Sequence, residues 1–412
     1  MYGIIFVFLL ILSFLSSKDV FSPAKIYLAV IFVFFGDSIF TESNNYSFQL
    51  IMLVVYLFSL IIMIFEKFGL SDTGVGLKRN VFLPRNIVFR IWLITLIPVI
   101  AQFLFISKMG GVNSYLFSIA ERVNSWKGFG VYLLLIRLIS VISYCYFFHM
   151  ITHIVKKKHI YLFLVHFSIF VTLALLSGSR SMLLWNLVYM VVLYHFISKK
   201  ISLSKALMSF GVVVFLAMIL GALRDGYTVN ESGFSSGLEV STEVLNMANF
   251  TYGTKPIHLL LELNDSYEYS LGKTYITVFT NLIPRGFWPA KPDPGGIVFT
   301  RDILGDPFGG FSYYSTGIFG EAFINFGLIG GAIFAVCQLF ILYLVLFLYI
   351  SKLNICSASA RYNNMICYYP FLLLGIPAYL YAEFTTNTLS MLFFKMFLFF
   401  LVLKFTIIKV KG

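Results

Sequence analysis

Long apolar runs, separated by short polar connections, set the pattern of this chain. Crossing the hydrocarbon of a bilayer takes about 20 mostly apolar residues in a helix, because lipid satisfies no exposed backbone group and a helix satisfies its own. Eleven stretches meet or approach that length: 2–17, 26–40, 49–65, 88–107, 129–149, 160–176, 182–197, 206–223, 323–350, 366–382 and 388–403. The pattern predicts an all-α polytopic integral membrane protein with about 11 (10–12) transmembrane helices. One connection, Arg224 to about Gly317, is long enough to hold structure of its own. The chain then divides into an N-terminal bundle of about eight helices (1–223), a large loop (224–317) and a C-terminal group of helices (318–412). Within the loop, Thr254-Lys255-Pro256 ahead of the run from Ile257 to Leu263 predicts a short interfacial helix with proline in its first turn. The opening stretch, Tyr2 to Ser17, lacks the basic n-region and small-residue cleavage site of a removable signal and is read as a permanent span.

Composition excludes a soluble enzyme. Of 412 residues, 59% are hydrophobic and 12% charged, against roughly 45–50% and about 25% in an average soluble domain. The net charge of +12 raises the question of a nucleic-acid partner. The distribution of charge answers it. Eighteen of the 30 Lys and Arg fall in one alternate set of connections, and ten fall in the other, six of these in the long loop. By the positive-inside rule the richer set is cytoplasmic, which places the N-terminus and the long loop outside and the C-terminus inside. Three acidic residues accompany the cytoplasmic set and thirteen the outer one. The basic excess is thus a topology signal, and no nucleic acid is expected. Cys145, Cys337, Cys356 and Cys367 lie outside the long loop and show no metal-type spacing, so neither a disulfide framework nor a metal site is expected.

Four charges stand inside spans, where each costs at least about 2.5–3.5 kcal/mol at the helix centre: Asp37, Arg137, Glu321 and Lys395. All four fall in the outer half of the membrane. Either Arg137 and Asp37 pair structurally while Lys395 snorkels to headgroups, or the four line a polar cavity beneath the loop, suited to a substrate with an anionic head and a lipid tail. Five histidines, His149, His153, His159, His166 and His195, lie near cytoplasmic ends and carry no assigned chemistry; His258 alone lies outside.

Three outer segments concentrate cations among turn residues and aromatics. Leu176 to Ser181 sets Arg180 in a tight Gly/Ser turn, Gly221 to Tyr227 places Arg224 and Asp225 where the chain leaves the bilayer, and Asn281 to Pro292 sets Arg285 and Lys291 among prolines, Phe287 and Trp288. A guanidinium fork matches phosphate with two charge-assisted hydrogen bonds. Any single one of these arginines is equally explained as an anchor to lipid phosphates.

Together these segments resemble the Wzy-type O-antigen polymerases, the oligosaccharide repeat-unit polymerases of bacterial surface polysaccharides. The resemblance covers most of the chain and rests on the polytopic layout, the outer GSRS turn at Gly178 to Ser181, the IPRGFWPAKP stretch at Ile283 to Pro292, and GEAFINFG at Gly320 to Gly327. The stretch from Gly110 to Val123, with Arg122, is similar to the family's preceding outer loop. The family usually has about twelve spans with both ends inside, one more than the eleven read here.

The resemblance implies a C-type glycosyltransferase membrane fold in a bacterial inner membrane with a periplasmic active site. The implied reaction moves a growing glycan from undecaprenyl diphosphate onto a lipid-linked repeat unit, with inversion and without metal or cofactor. It also implies a chain-length regulator and a flippase as partners, besides the inner-membrane lipids. Arg180, Arg224 and Arg285, with Lys291 and Arg122, are the candidates to stabilise the leaving diphosphate. Arg137, Tyr227 and Trp288 complete the expected diphosphate and glycan contacts. For the base that takes the acceptor hydroxyl's proton, Glu321 comes first and Asp225 second; helix capping is an equal account of Glu321. A lipid-linked oligosaccharide flippase is the first competitor, disfavoured by the one-sided charges and the long loop. An O-antigen ligase is the second, kept open by His258. No His/Asp motif of a membrane acyltransferase is found.

Overall fold

The computed structural model describes residues 2–41, 43–69, 81–119, 125–126, 128–177, 180–212, 215, 229–230, 233–234, 252–283, 287–306, 314–356 and 365–407. Apolar helices overlap the predicted stretches, that at 206–223 being described only through Val212 and at Phe215. Six are long enough to cross a membrane: Tyr46–Lys67, Arg85–Lys108, Gly130–Thr152, Lys157–Leu176, Gly317–Ile355 and Phe384–Ile407. The five at Tyr2–Ser16, Pro23–Phe34, Ser181–Ile197, Leu203–Val212 and Tyr369–Leu380 are shorter. The chain is an all-α membrane protein. Among the described residues the strands amount to one two-residue antiparallel pair, Val229–Asn230 with Gly233–Phe234.

Packing groups the chain into two compact units, each built from two separate segments: Met1–Gly74 with Leu245–Leu392, and Val75–Val244 with Phe393–Gly412. In the second, Gly130–Thr152 is the central helix, packed against Arg85–Lys108, Lys157–Leu176, Arg180–Ile197 and Leu398–Ile407. Phe105, Tyr115 and Trp126 form an aromatic core at one end. Tyr115 reaches it from the short helix Val112–Ser118; its hydroxyl donates to Leu176 O at 2.8 Å, and Trp126 Nε1 donates to Ser118 Oγ at 2.8 Å. The Gly110 to Ser118 part of the sequence is therefore an anchored turn. His149 and His166 are buried core residues, bonded to the hydroxyls of Thr406 at 3.1 Å and Thr95 at 3.0 Å.

In the first unit, Tyr2–Ser16 and Pro23–Phe34 pack on Tyr46–Gly69. The long loop is pinned to this group: Asp37 accepts from the Thr254 hydroxyl and from Ser38 N–H (2.8 Å), and Gly253 N–H donates to Phe34 O at 2.8 Å. The helix predicted in the loop is present at Lys255–Leu263. Its apolar face, Ile257, Leu260 and Leu261, is covered by protein, packing toward Tyr46–Gly69 and Gly317–Ile355.

The span expected at 323–350 is longer and broken. Gly317–Ile355 contains Gly327 at φ 73° and ψ 179°, a conformation open to glycine and closed to other residues. The break separates a buried half-helix, 317–326, from a second segment long enough to cross the membrane. Groups freed at the break find partners. Ser270 N–H and Leu271 N–H donate to Ile324 O (2.9 Å) and Asn325 O (3.2 Å), and Leu328 N–H donates to the Asp265 carboxylate at 3.2 Å. Asp265 thus caps the second segment. Asp265→Ala should cost about 1 kcal/mol, as loss of a helix cap does, read as a small fall in the melting temperature of the detergent-solubilised protein; an unchanged value would remove the capping role.

Candidate functional site

Residues of the GEAFINFG stretch do not simply enter a span. Ile318 to Asn325 are all buried in the half-helix, and Glu321 is 0% exposed at its centre. Both carboxylate oxygens are bonded: the Thr274 hydroxyl donates to Oε1 at 2.9 Å, and Phe384 N–H donates to Oε2 at 2.6 Å. Glu321 therefore joins three pieces of chain, the loop helix Lys273–Thr280, its own half-helix, and the start of Phe384–Thr388.

The pattern Thr274, Thr277, Thr280 explains the loop helix. Three-residue spacing puts these threonines on one buried face, while Ile276 and Phe279 stand exposed on another. The Thr277 and Thr385 hydroxyls meet at 2.6 Å, and Thr385 Oγ1 donates to Thr274 O at 3.1 Å. Asn325, one turn beyond Glu321, completes the network. Gly272 N–H donates to its Oδ1 at 2.8 Å, so the amide nitrogen is the donor to Thr274 Oγ1 and to Glu321 O, both at 2.7 Å. Hydrogen bonds therefore run in one sense, from Gly272 through Asn325 and Thr274 to the carboxylate.

A second buried acid adjoins the first. Glu383 is 1% exposed and immediately precedes the residue whose N–H holds Glu321. The Thr386 hydroxyl donates to its Oε2 at 3.3 Å, and its Oε1 has no partner. Gly295 begins the short helical turn that lies against the first acid: a Cβ there would stand 3.1 Å from Glu321 Cγ. Burial first, and the neighbouring Glu321 second, push the Glu383 carboxyl up to about 8 from its ordinary 4.5. A carboxyl raised in the folded state stabilises most below the unfolded value and loses that contribution as pH rises through the folded one. The melting temperature should therefore fall between about pH 4.5 and 8, and Glu383→Gln should flatten that slope; an identical slope in the variant would locate the titration elsewhere.

Lys291 Nζ donates to Ile283 O (2.9 Å) and Thr280 O (3.3 Å), bracing the C-terminal end of the threonine helix. Trp288 is 41% and Phe287 86% exposed, so both indole and phenyl faces are open to stacking. Arg137 is exposed on Gly130–Thr152, in the second unit. Lys395, also in that unit, donates to the Tyr189 hydroxyl at 2.8 Å from within π-helical turns spanning Leu389–Phe397. His258 stacks on Phe48 with ring centroids 3.7 Å apart, and burial lowers its pKa although Asp37 and Glu262 pull the other way. Arg122, Arg224, Asp225, Tyr227 and Arg285 lie outside the described residues, as does the side chain of Arg180. Among the described residues no three His, Cys, Asp or Glu side chains gather as a metal set. The sequence reading missed Glu383, counted there with the ordinary outer acids, and the threonines, whose three-residue repeat was the available signal. No family model, curated protein or solved structure matches the chain.

Proposed function

We propose that this chain is a repeat-unit polymerase of the Wzy type, a membrane glycosyltransferase that moves a growing glycan from undecaprenyl diphosphate onto a lipid-linked repeat unit at the periplasmic face of a bacterial inner membrane. The observation that carries the reading is Glu321, a fully buried carboxylate held by a loop threonine in the half-helix that precedes a segment long enough to cross the membrane. A general base for that reaction belongs where the loop meets the membrane. In this reading Glu321 accepts the hydroxyl proton, and Arg285 stabilises the diphosphate as its charge develops. Lys291 acts through the threonine helix it braces, as a positioning residue. Exposed Trp288 offers a stacking face to a sugar ring.

Deleting the gene and separating the surface glycans by gel and mass spectrometry tests this. The polymerase predicts one repeat unit on the lipid A core and no ladder. Core lacking any repeat, with polymer still made, would mean a ligase and would turn attention to His258; repeat units trapped on the cytoplasmic face would mean a flippase.

A further inference from the structure

We propose that Glu321 and Glu383 form a single acid–base centre holding one proton, with Glu383 as the member that bears it and Glu321 as the member that accepts. The reaction it serves rests on the polymerase reading; the pair itself rests on geometry. Glu321 is arranged as an acceptor. Gly272 N–H fixes the orientation of the Asn325 amide, that amide donates to Thr274 Oγ1, and the one proton of Thr274 is left for Glu321 Oε1. The second oxygen faces Phe384 N–H, which can only donate. Glu383 is arranged differently, with one long hydrogen bond at Oε2 and a buried Oε1 that meets no partner.

No lysine or arginine pairs with either carboxylate among the described residues. Two negative charges on neighbouring buried carboxylates, one in the half-helix and one at the start of Phe384–Thr388, cost far more than one when no cation offsets them, so such a pair keeps a proton. Its titration then belongs to the pair and not to either residue. The unpartnered oxygen of Glu383 is the natural point of entry for a polar group of the substrate, since a donor or acceptor there would find its bond unmade.

The step balances simply. The acceptor sugar's hydroxyl oxygen attacks the anomeric carbon, the bond from that carbon to the diphosphate oxygen breaks, and its electron pair leaves with the diphosphate. The hydroxyl proton passes to the pair, which then holds two. Return of one proton to the released diphosphate or to water restores the starting state.

Infrared difference spectroscopy of the full chain in lipid nanodiscs tests the pair without reference to activity. At neutral pH the wild type should show a protonated-carboxyl stretch that Glu383→Gln removes, that Glu321→Gln shifts, and that Glu383→Asp retains. A stretch unchanged in Glu383→Gln overturns the pair. Polymerisation of lipid-linked repeat units should fall at least about 100-fold in Glu383→Gln and recover in part, with an altered pH profile, in Glu383→Asp. A missing stretch with an unaltered glycan ladder keeps the pair and removes it from the polymerisation step, whereas a gene deletion that leaves the ladder intact defeats the polymerase reading and leaves the pair untouched.

Discussion

Replacing Gly327 with valine should destroy the ordered form of the first unit. The residue sits at φ 73° and ψ 179°, where a side-chain-bearing residue pays about 1–3 kcal/mol in backbone strain alone. A Cβ there would also stand 2.7 Å from the Tyr269 hydroxyl and 2.9 Å from its ring carbon Cζ. Relief by straightening the helix is closed off, because the break is wired from both sides: Ser270 and Leu271 hold the carbonyls before it, and Asp265 holds the first N–H after it. Strain, clash and lost hydrogen bonds together exceed a large part of the 5–15 kcal/mol by which a typical domain is stable. Gly327→Val should therefore appear as aggregated protein on size exclusion and as loss of the cooperative melt. Gly330→Ala is the matched control. That glycine is helical, with nothing nearer to its added Cβ than Phe326 Cβ at 3.5 Å, and it should melt at or slightly above wild type. A folded Gly327→Val protein would mean that the break is not required.

Periodicity and composition made the spans legible because the bilayer imposes a length and an apolarity that single residues cannot disguise. The same simplicity hid the site. Glu321 stood out as a charge at the edge of an apolar run, but its placement in a separate half-helix depends on Gly327, one glycine among thirty. Nothing local distinguishes a glycine that breaks a membrane helix from one that rides in it, such as Gly330; the difference lies in the Tyr269 and Asp265 contacts made from the preceding loop. Glu383 was hidden for another reason. An acid between two apolar stretches reads as a solvated turn residue, whereas the folded chain leaves Glu383 only 1% exposed. Lys291 shows the converse, a cation whose sequence context suggested phosphate and whose ammonium braces a helix end.

Glu321→Gln and Glu321→Ala should separate chemistry from architecture. Glutamine fills the same volume and can keep both contacts: its carbonyl oxygen accepts from Phe384 N–H, and its amide donates to Thr274 Oγ1 once the threonine proton turns away. The variant should insert and melt close to wild type. It has no basic oxygen, however, so if Glu321 takes the acceptor's proton, chain elongation should fall by about 100- to 10,000-fold, leaving a core with one repeat unit and no ladder. Alanine instead orphans Phe384 N–H and the Thr274 hydroxyl at a position that is 0% exposed and leaves a void beside them. Each unmade bond at a buried group costs about 1–3 kcal/mol, and the cavity adds to it, so this variant should lose both ladder and stability. The two melts and the two ladders decide between the roles. A glutamine variant that polymerises like wild type, beside an alanine variant that unfolds, would make Glu321 the joint that fastens the loop to the half-helix, and would leave the proton to Asp225.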